Sequence, residues 1–203
     1  MGQLSCFKSY DIRGRLGEEL DAPLAYLIGR GFARVLQPGM VVIGRDVRES
    51  SPALQAALMA GLQDEGVDVI DLGLCGTEEV YFATDHFGAG GGLMVTASHN
   101  PINYNGIKMV RDGARPISAQ TGLNAIRDMV ELDAFGPITA PMLSRCISSS
   151  ISYTVWCGAI DATSAPLLRR IWRIWRMALV SRSDHGTGPP PLLSTGCRRA
   201  VDG

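Results

Sequence analysis

Gly90-Gly91-Gly92-Leu93-Met94-Val95-Thr96-Ala97-Ser98-His99-Asn100-Pro101, with Asn105-Gly106-Ile107-Lys108 close behind, decides how this chain is read. Residues 93–95 are a brief apolar run between turn residues, which predicts a short buried strand. Residues 96–105 carry turn chemistry. Asn100-Pro101 stops regular structure, because proline has no N–H and pushes the residue before it out of the helical region. A small polar residue on a stiff loop just past a strand end is a common place for a nucleophile. Ser98 is therefore the candidate nucleophile, with His99 beside it and Lys108 a few residues on.

On either side of this stretch, strand and helix patterns alternate. Residues 7–14 read as a strand end followed by a glycine turn. Leu24, Leu27, Ile28, Phe32, Val35 and Leu36 recur at helical spacing and predict an amphipathic helix over 22–36, ended by Pro38-Gly39. Residues 40–43 predict a buried strand that leads into Gly44-Arg45-Asp46-Val47-Arg48-Glu49-Ser50-Ser51-Pro52. There Ser51 is placed as an N-cap, with Pro52 at the first helical position. Leu54, Ala57, Leu58, Gly61 and Leu62 form the buried face of that helix, which Gly66 closes. Residues 67–72 predict the next strand. A helix follows from Thr77, a cap residue, with Glu78 and Glu79 in its positive first turn and His86 as a structural residue near its end. Residues 106–110 predict a strand carrying Lys108. Residues 116–132 predict a helix with Leu123, Ile126, Met129 and Val130 inward. The fold class is α/β: a three-layer α/β/α domain with a mixed, mostly parallel sheet, ending near residue 136.

Several function classes drop out on context. The glycines at 88–92 precede a strand, whereas a dinucleotide fingerprint needs strand, then glycines, then helix. No G-x-x-x-x-G-K-[ST] phosphate loop is present, and no G-x-S-x-G elbow surrounds Ser98. Cys6, Cys75, Cys146, Cys157 and Cys197 are odd in number and form no C-x-x-C pair, so neither a disulfide framework nor a zinc site is expected. A reducing cytoplasm is the expected setting. The N-terminus has no apolar signal region, and Cys6 breaks a myristoylation pattern.

Near-neutral net charge hides an asymmetry. Residues 1–136 carry 11 Lys and Arg against 17 Asp and Glu, whereas residues 137–203 carry 8 against 3, all eight being Arg. The second part also holds Trp156, Trp172 and Trp175 but no Lys, Glu, Asn, Gln or Phe. Such a composition resembles translation in a shifted reading frame, and the tail is expected to be disordered. A second reading of the tail uses Arg169, Arg173 and Arg176, which fall on one helical face beside Trp and Ile, as in a membrane-surface helix.

Thr96-Ala97-Ser98-His99-Asn100-Pro101 with Asn105-Gly106-Ile107-Lys108 resembles the phosphoserine loop of the α-D-phosphohexomutases, the phosphoglucomutase and phosphomannomutase superfamily. Tyr10-Asp11-Ile12-Arg13-Gly14 and the G-R-D-x-R-x-S-S string at 44–51 are similar to the same family. The segment at 76–84 is similar to bacterial phosphomannomutases that feed GDP-mannose synthesis. The resemblance implies that Ser98 is phosphorylated and relays a phosphoryl group between hexose 6-phosphate and hexose 1-phosphate through a hexose 1,6-bisphosphate. It implies Lys108 as acid, base or electrostatic partner, and His99 as a stabiliser of substrate or loop. Tyr10, Arg13 and Asn100 would contact substrate, Asp11 would orient Arg13 or its turn, and Arg45, Asp46 and Arg48 would support the loop.

Mg²⁺ would be bound through phosphorylated Ser98, with its remaining ligands from a second domain. The family's metal loop of aspartates, its sugar-recognition loop and its last phosphate cradle have no counterpart in the chain. The chain alone is therefore expected to be a truncated form without appreciable mutase activity. The alternative is a non-catalytic α/β module that binds a phosphosugar or a partner. The expected partner is a small phosphosugar, with no nucleic acid and no membrane.

Overall fold

Strands β2 (Met40–Arg45), β3 (Asp68–Leu74) and β4 (Gly91–Val95) run parallel at the centre of one sheet. The two inner strands, β2 and β4, carry unbroken buried runs, Val41-Val42-Ile43 and Leu93-Met94-Val95, as strands covered on both faces require. The computed structural model describes residues 4–136, Ile138 and Cys146–Ser148. Strand β5 (Tyr104–Arg111) pairs antiparallel with β4, and β1 (Ile12–Arg15) pairs antiparallel with β5. The order across the sheet is β1-β5-β4-β2-β3-β7, where β7 is Cys146–Ser148, parallel to β3; the two-residue β6 (Arg115–Pro116) adds to β5. The mixed α/β/α domain expected from the alternating pattern is what forms.

Helices α1 (Ala22–Leu36), α2 (Ser51–Asp64) and α4 (Leu123–Glu131) cover one face through Ile28, Phe32, Leu58, Leu62 and Ile126 against Ile43, Leu93, Val95 and Ile107. Helix α3 (Thr77–His86) covers the other, its Val80 and Ala83 packing with Val42, Ile70 and Met94. Pairing explains the glycine run. A Cβ on Gly91 would lie 2.6 Å from the Phe32 ring, and one on Gly92 would lie 2.2 Å from Thr84 Oγ1. Glycines here let helices on both faces approach β4 closely.

Several local expectations shift. Gly14 sits inside β1, not in a turn; the chain turns at Gly17 instead, at φ 77°. Helix α1 is stopped by Gln37 in the left-handed conformation, one residue before Pro38. Ser51 is the first residue of α2, with Ser50 flanking it, because the Ser51 hydroxyl is drawn to Asp46 rather than to the helix. The stretch expected as one helix over 116–132 divides into β6, a short 3-10 turn at Ala119–Thr121 and α4, with Gly122 at φ 142° separating the last two. Strand β7, beyond residue 136, has no pattern in the sequence that announces it. The basic face at 169–176 and most of the tail lie outside the described residues. Among the described residues, no helix is long and apolar enough to cross a membrane.

Candidate active site

Ser98 stands three residues past the end of β4 with φ at +55°, a left-handed conformation in which non-glycine residues are uncommon. Both of its backbone polar groups are held. Its N–H donates to Thr96 Oγ1 at 3.0 Å, and its carbonyl accepts from Arg48 Nη2 at 3.2 Å. Its side chain, like that of His99, is exposed, and neither makes a hydrogen bond among the described residues. The loop thus spends its backbone on fixing the turn and presents the hydroxyl outward.

Arg48 does most of that fixing. Nη1 donates to the carbonyls of Pro101 (2.8 Å) and Tyr104 (3.0 Å), and Nη2 donates to those of Ser98 and Asn100 (2.6 Å). A planar guanidinium can serve four carbonyls at fixed angles; an ammonium cannot. Asp46 braces Arg48 from behind. Its Oδ1 accepts from the Arg48 N–H (3.0 Å) and from Ser51 Oγ (2.6 Å), while Oδ2 lies 3.6 Å from Arg48 Nε. The Asp46 N–H in turn donates to the Val95 carbonyl at 2.9 Å, tying this brace to the end of β4.

A second group of charges lies across the sheet. Residues opposite one another in an antiparallel pair share a face, and successive residues alternate. Lys108 is opposite Met94, which packs under α3, so Lys108 is on the α3 face. Arg13 is opposite Gly106, next to the Ile12–Ile107 pair that faces the other core, so Arg13 is on the α3 face too. The two cations are therefore diagonal neighbours, roughly 7–8 Å apart by strand geometry with their Cβ atoms somewhat closer. Arg13 Nη2 donates to Asp11 Oδ2 at 2.7 Å; Lys108 has no hydrogen bond or ion pair among the described residues. Tyr81 of α3 belongs to this side: burial first, then Glu78 and Asp11, push its phenol up to about 12, so it stays a hydrogen-bond donor.

The remaining candidates are less connected. Asn100 contributes its backbone, donating to the Ala97 carbonyl at 3.0 Å and accepting from Arg48; its carboxamide is free among the described residues. Tyr10 is 73% exposed on the turn before β1, with no hydrogen bond to the Ser98 loop. Arg45 ends β2, and its carbonyl accepts from the Cys75 N–H at 3.0 Å, while its guanidinium is unpaired among the described residues. Sequence reading missed Thr96, Ser50, Ser51 and Asn105 as parts of the scaffold. The signal that existed was Asn105 inside the string that carries the family resemblance, where it was given no role of its own.

Residues 5–136 match the family described as phosphoglucomutase/phosphomannomutase, alpha/beta/alpha domain I. The chain belongs to this family. It is 57% identical over 138 residues to a phosphomannomutase of Klebsiella pneumoniae, a match covering 68% of this chain and 88% of that protein. A phosphomannomutase of Salmonella typhimurium is 58% identical over 138 residues, and phosphohexose mutases of Xanthomonas campestris are 61% identical over 144; there the match spans 30% and 32% of the relative. Among solved structures, a phosphoglucomutase/phosphomannomutase family protein of Burkholderia thailandensis superposes with TM-score 0.62 at 35% identity, covering 73% of this chain and 33% of that one. A phosphomannomutase-like protein of Thermus thermophilus superposes at 0.65 with 28% identity, covering 80% and 36%.

Proposed function

We propose that Ser98 is the phosphoryl relay of a phosphohexomutase acting on hexose phosphates, mannose phosphate first among them. The observation that carries this reading is Ser98 itself: an exposed hydroxyl on a left-handed turn whose N–H and C=O are both tied down. Phosphoryl transfer asks the protein chiefly for position and charge neutralisation. Ser98 Oγ attacks a phosphorus of a hexose 1,6-bisphosphate, the bond from that phosphorus to the sugar oxygen breaks, and the sugar oxygen takes a proton. Interconversion starts from phosphorylated Ser98, whose phosphoryl group passes to the free hydroxyl of a hexose monophosphate as the Ser98 Oγ–P bond breaks. The bisphosphate turns over, and Ser98 Oγ takes back the other phosphate by that same attack. Lys108 and Arg13, diagonal neighbours on one face, supply positive charge to the phosphate, and His99, next to Ser98 in the loop, stabilises the substrate or the loop. Tyr10 and Asn100 are free to bond the sugar. The name phosphomannomutase borne by relatives supports mannose phosphate as substrate, and free Cys6, Cys75 and Cys146 fit a reducing cytoplasm.

Mg²⁺ does not fit this set of residues alone. Among the described residues no group of three or more His, Cys, Asp or Glu is placed to hold a metal. Asp46, the carboxylate behind the loop, is already engaged by Ser51 and Arg48, whereas Mg²⁺ at a phosphate is held through one or two free carboxylates.

Intact mass of the chain after incubation with glucose 1,6-bisphosphate or mannose 1,6-bisphosphate tests the relay. The expected result is a gain of one phosphoryl group, lost in Ser98→Ala. Binding of the sugar with no covalent gain would overturn the relay and leave a non-catalytic phosphosugar module.

A further inference from the structure

We infer that Asn105 is a positioning residue for transfer at Ser98, an inference that rests on the relay reading above. Asn105 is fully buried. Its carboxamide is fully used: Nδ2 donates to Ser50 Oγ at 2.8 Å and Ser51 Oγ at 3.0 Å, and Oδ1 accepts from the Gly106 N–H at 2.8 Å. The Ser51 proton goes on to Asp46 Oδ1, Asp46 braces Arg48, and Arg48 holds the carbonyl of Ser98. One polar circuit therefore runs from the first turn of α2 through two side chains to the residue that carries the phosphate.

Gly106 closes the other end. Its N–H is held by Asn105, and its carbonyl accepts from the Thr96 N–H at 2.9 Å, so the first residue of the 96–105 loop is clamped to the residue that follows its last. Thr96 Oγ1 then holds the Ser98 N–H. Both grips on Ser98 thus trace back to Asn105. Only a carboxamide offers two donors toward the serines and an acceptor toward Gly106 at this reach. An Asp would set a second carboxylate against the Ser51 oxygen beside Asp46, and an Ala would leave the Gly106 N–H unpaired in a buried place.

The test compares the full chain with Asn105→Ala, Asn105→Asp and Ser51→Ala. Rate and half-saturating concentration of phosphoryl uptake from glucose 1,6-bisphosphate are followed by intact mass, alongside amide hydrogen exchange. Both Asn105 variants should lower the maximal uptake rate about tenfold or more while half-saturation moves less than about twofold, the split expected of misplacement rather than lost binding. Ser51→Ala should fall the same way by less, and it decides the matter if the Asn105 variants do not fold. Amides over 97–104 should exchange faster while those of β2 and β4 keep their protection. Wild-type uptake in a folded Asn105→Ala chain, or a loss confined to half-saturation, overturns the inference. If the unaltered chain takes up no phosphate, the relay reading has failed. Exchange alone then decides whether the circuit holds the loop: unchanged exchange in the variants would refute that hold.

Discussion

Arg48 donates to the carbonyl of Ser98 at 3.2 Å from 50 positions away in the chain, reaching from the β2–α2 connection to the loop between β4 and β5. That bond, with its three companions at Asn100, Pro101 and Tyr104, makes the conformation of the Ser98 loop a property of the β2–α2 connection.

Replacing Arg48 by Lys keeps the charge and loses the fork. A lysine reaches at most one or two of the four carbonyls, and charged hydrogen bonds contribute about 1.5–3 kcal/mol each where they are made. Arg48→Lys should lower the urea-unfolding free energy by about 2 kcal/mol and slow phosphoryl uptake, with Arg48→Ala worse on both. Equal stability of Arg48→Lys and wild type in urea titrations would contradict the geometry.

Position 98 distinguishes backbone from chemistry. At φ +55° an alanine pays the left-handed penalty, of order 1 kcal/mol, that a glycine escapes. Ser98→Gly should therefore unfold at no lower denaturant than Ser98→Ala, and both should be devoid of phosphoryl uptake. Uptake surviving in either would move the relay to another residue.

Helices α1 and α2 meet through glycine. A Cβ on Gly61 would lie 2.1 Å from the Tyr26 carbonyl oxygen, and one on Gly29 would lie 2.4 Å from that of Leu58. These are backbone atoms that cannot turn aside, so Gly61→Ala or Gly29→Ala should destabilise by about 2–3 kcal/mol despite the better helix propensity of alanine. Thermal unfolding of the two variants checks this; an unchanged midpoint would mean the helices are further apart than described.

Alkaline pH should loosen the fold. Burial pushes the Cys6 thiol up to about 11 and the Cys75 thiol up to about 12, and Tyr81 is raised as well. Groups raised in the folded state stabilise it fully below their unfolded values, near 8.5 for thiols and 10 for tyrosine. That contribution is lost as pH climbs through the folded values. Urea midpoints should therefore be flat up to about pH 8 and fall from there toward pH 11. Cys6 and Cys75 should also resist alkylation at neutral pH until the chain is unfolded.

The layered α/β fold was legible because each buried strand and helix face writes its own period locally. Val41-Val42-Ile43 and the Leu24-to-Leu36 repeat need no partner to be recognised. The Ser98 loop was legible as a candidate for a similar reason, since it is one contiguous string. Ser51 misled, because a serine before a proline looks like a cap whether its hydroxyl turns to the helix or to Asp46. Strand β7 was invisible because three residues carry no period, and the exposed edge of β3 selects them.

What the order of residues settled by itself was the kind of structure and the identity of the exposed hydroxyl, both consequences of short-range pattern. What only the tertiary structure decided was how the backbone beneath that hydroxyl is held. Arg48, Asp46, Ser51 and Asn105 become one circuit solely because β2, β4 and β5 pair in one register and bring two distant loops side by side. A hydrogen bond depends on position and angle in space, and nothing in linear spacing records that.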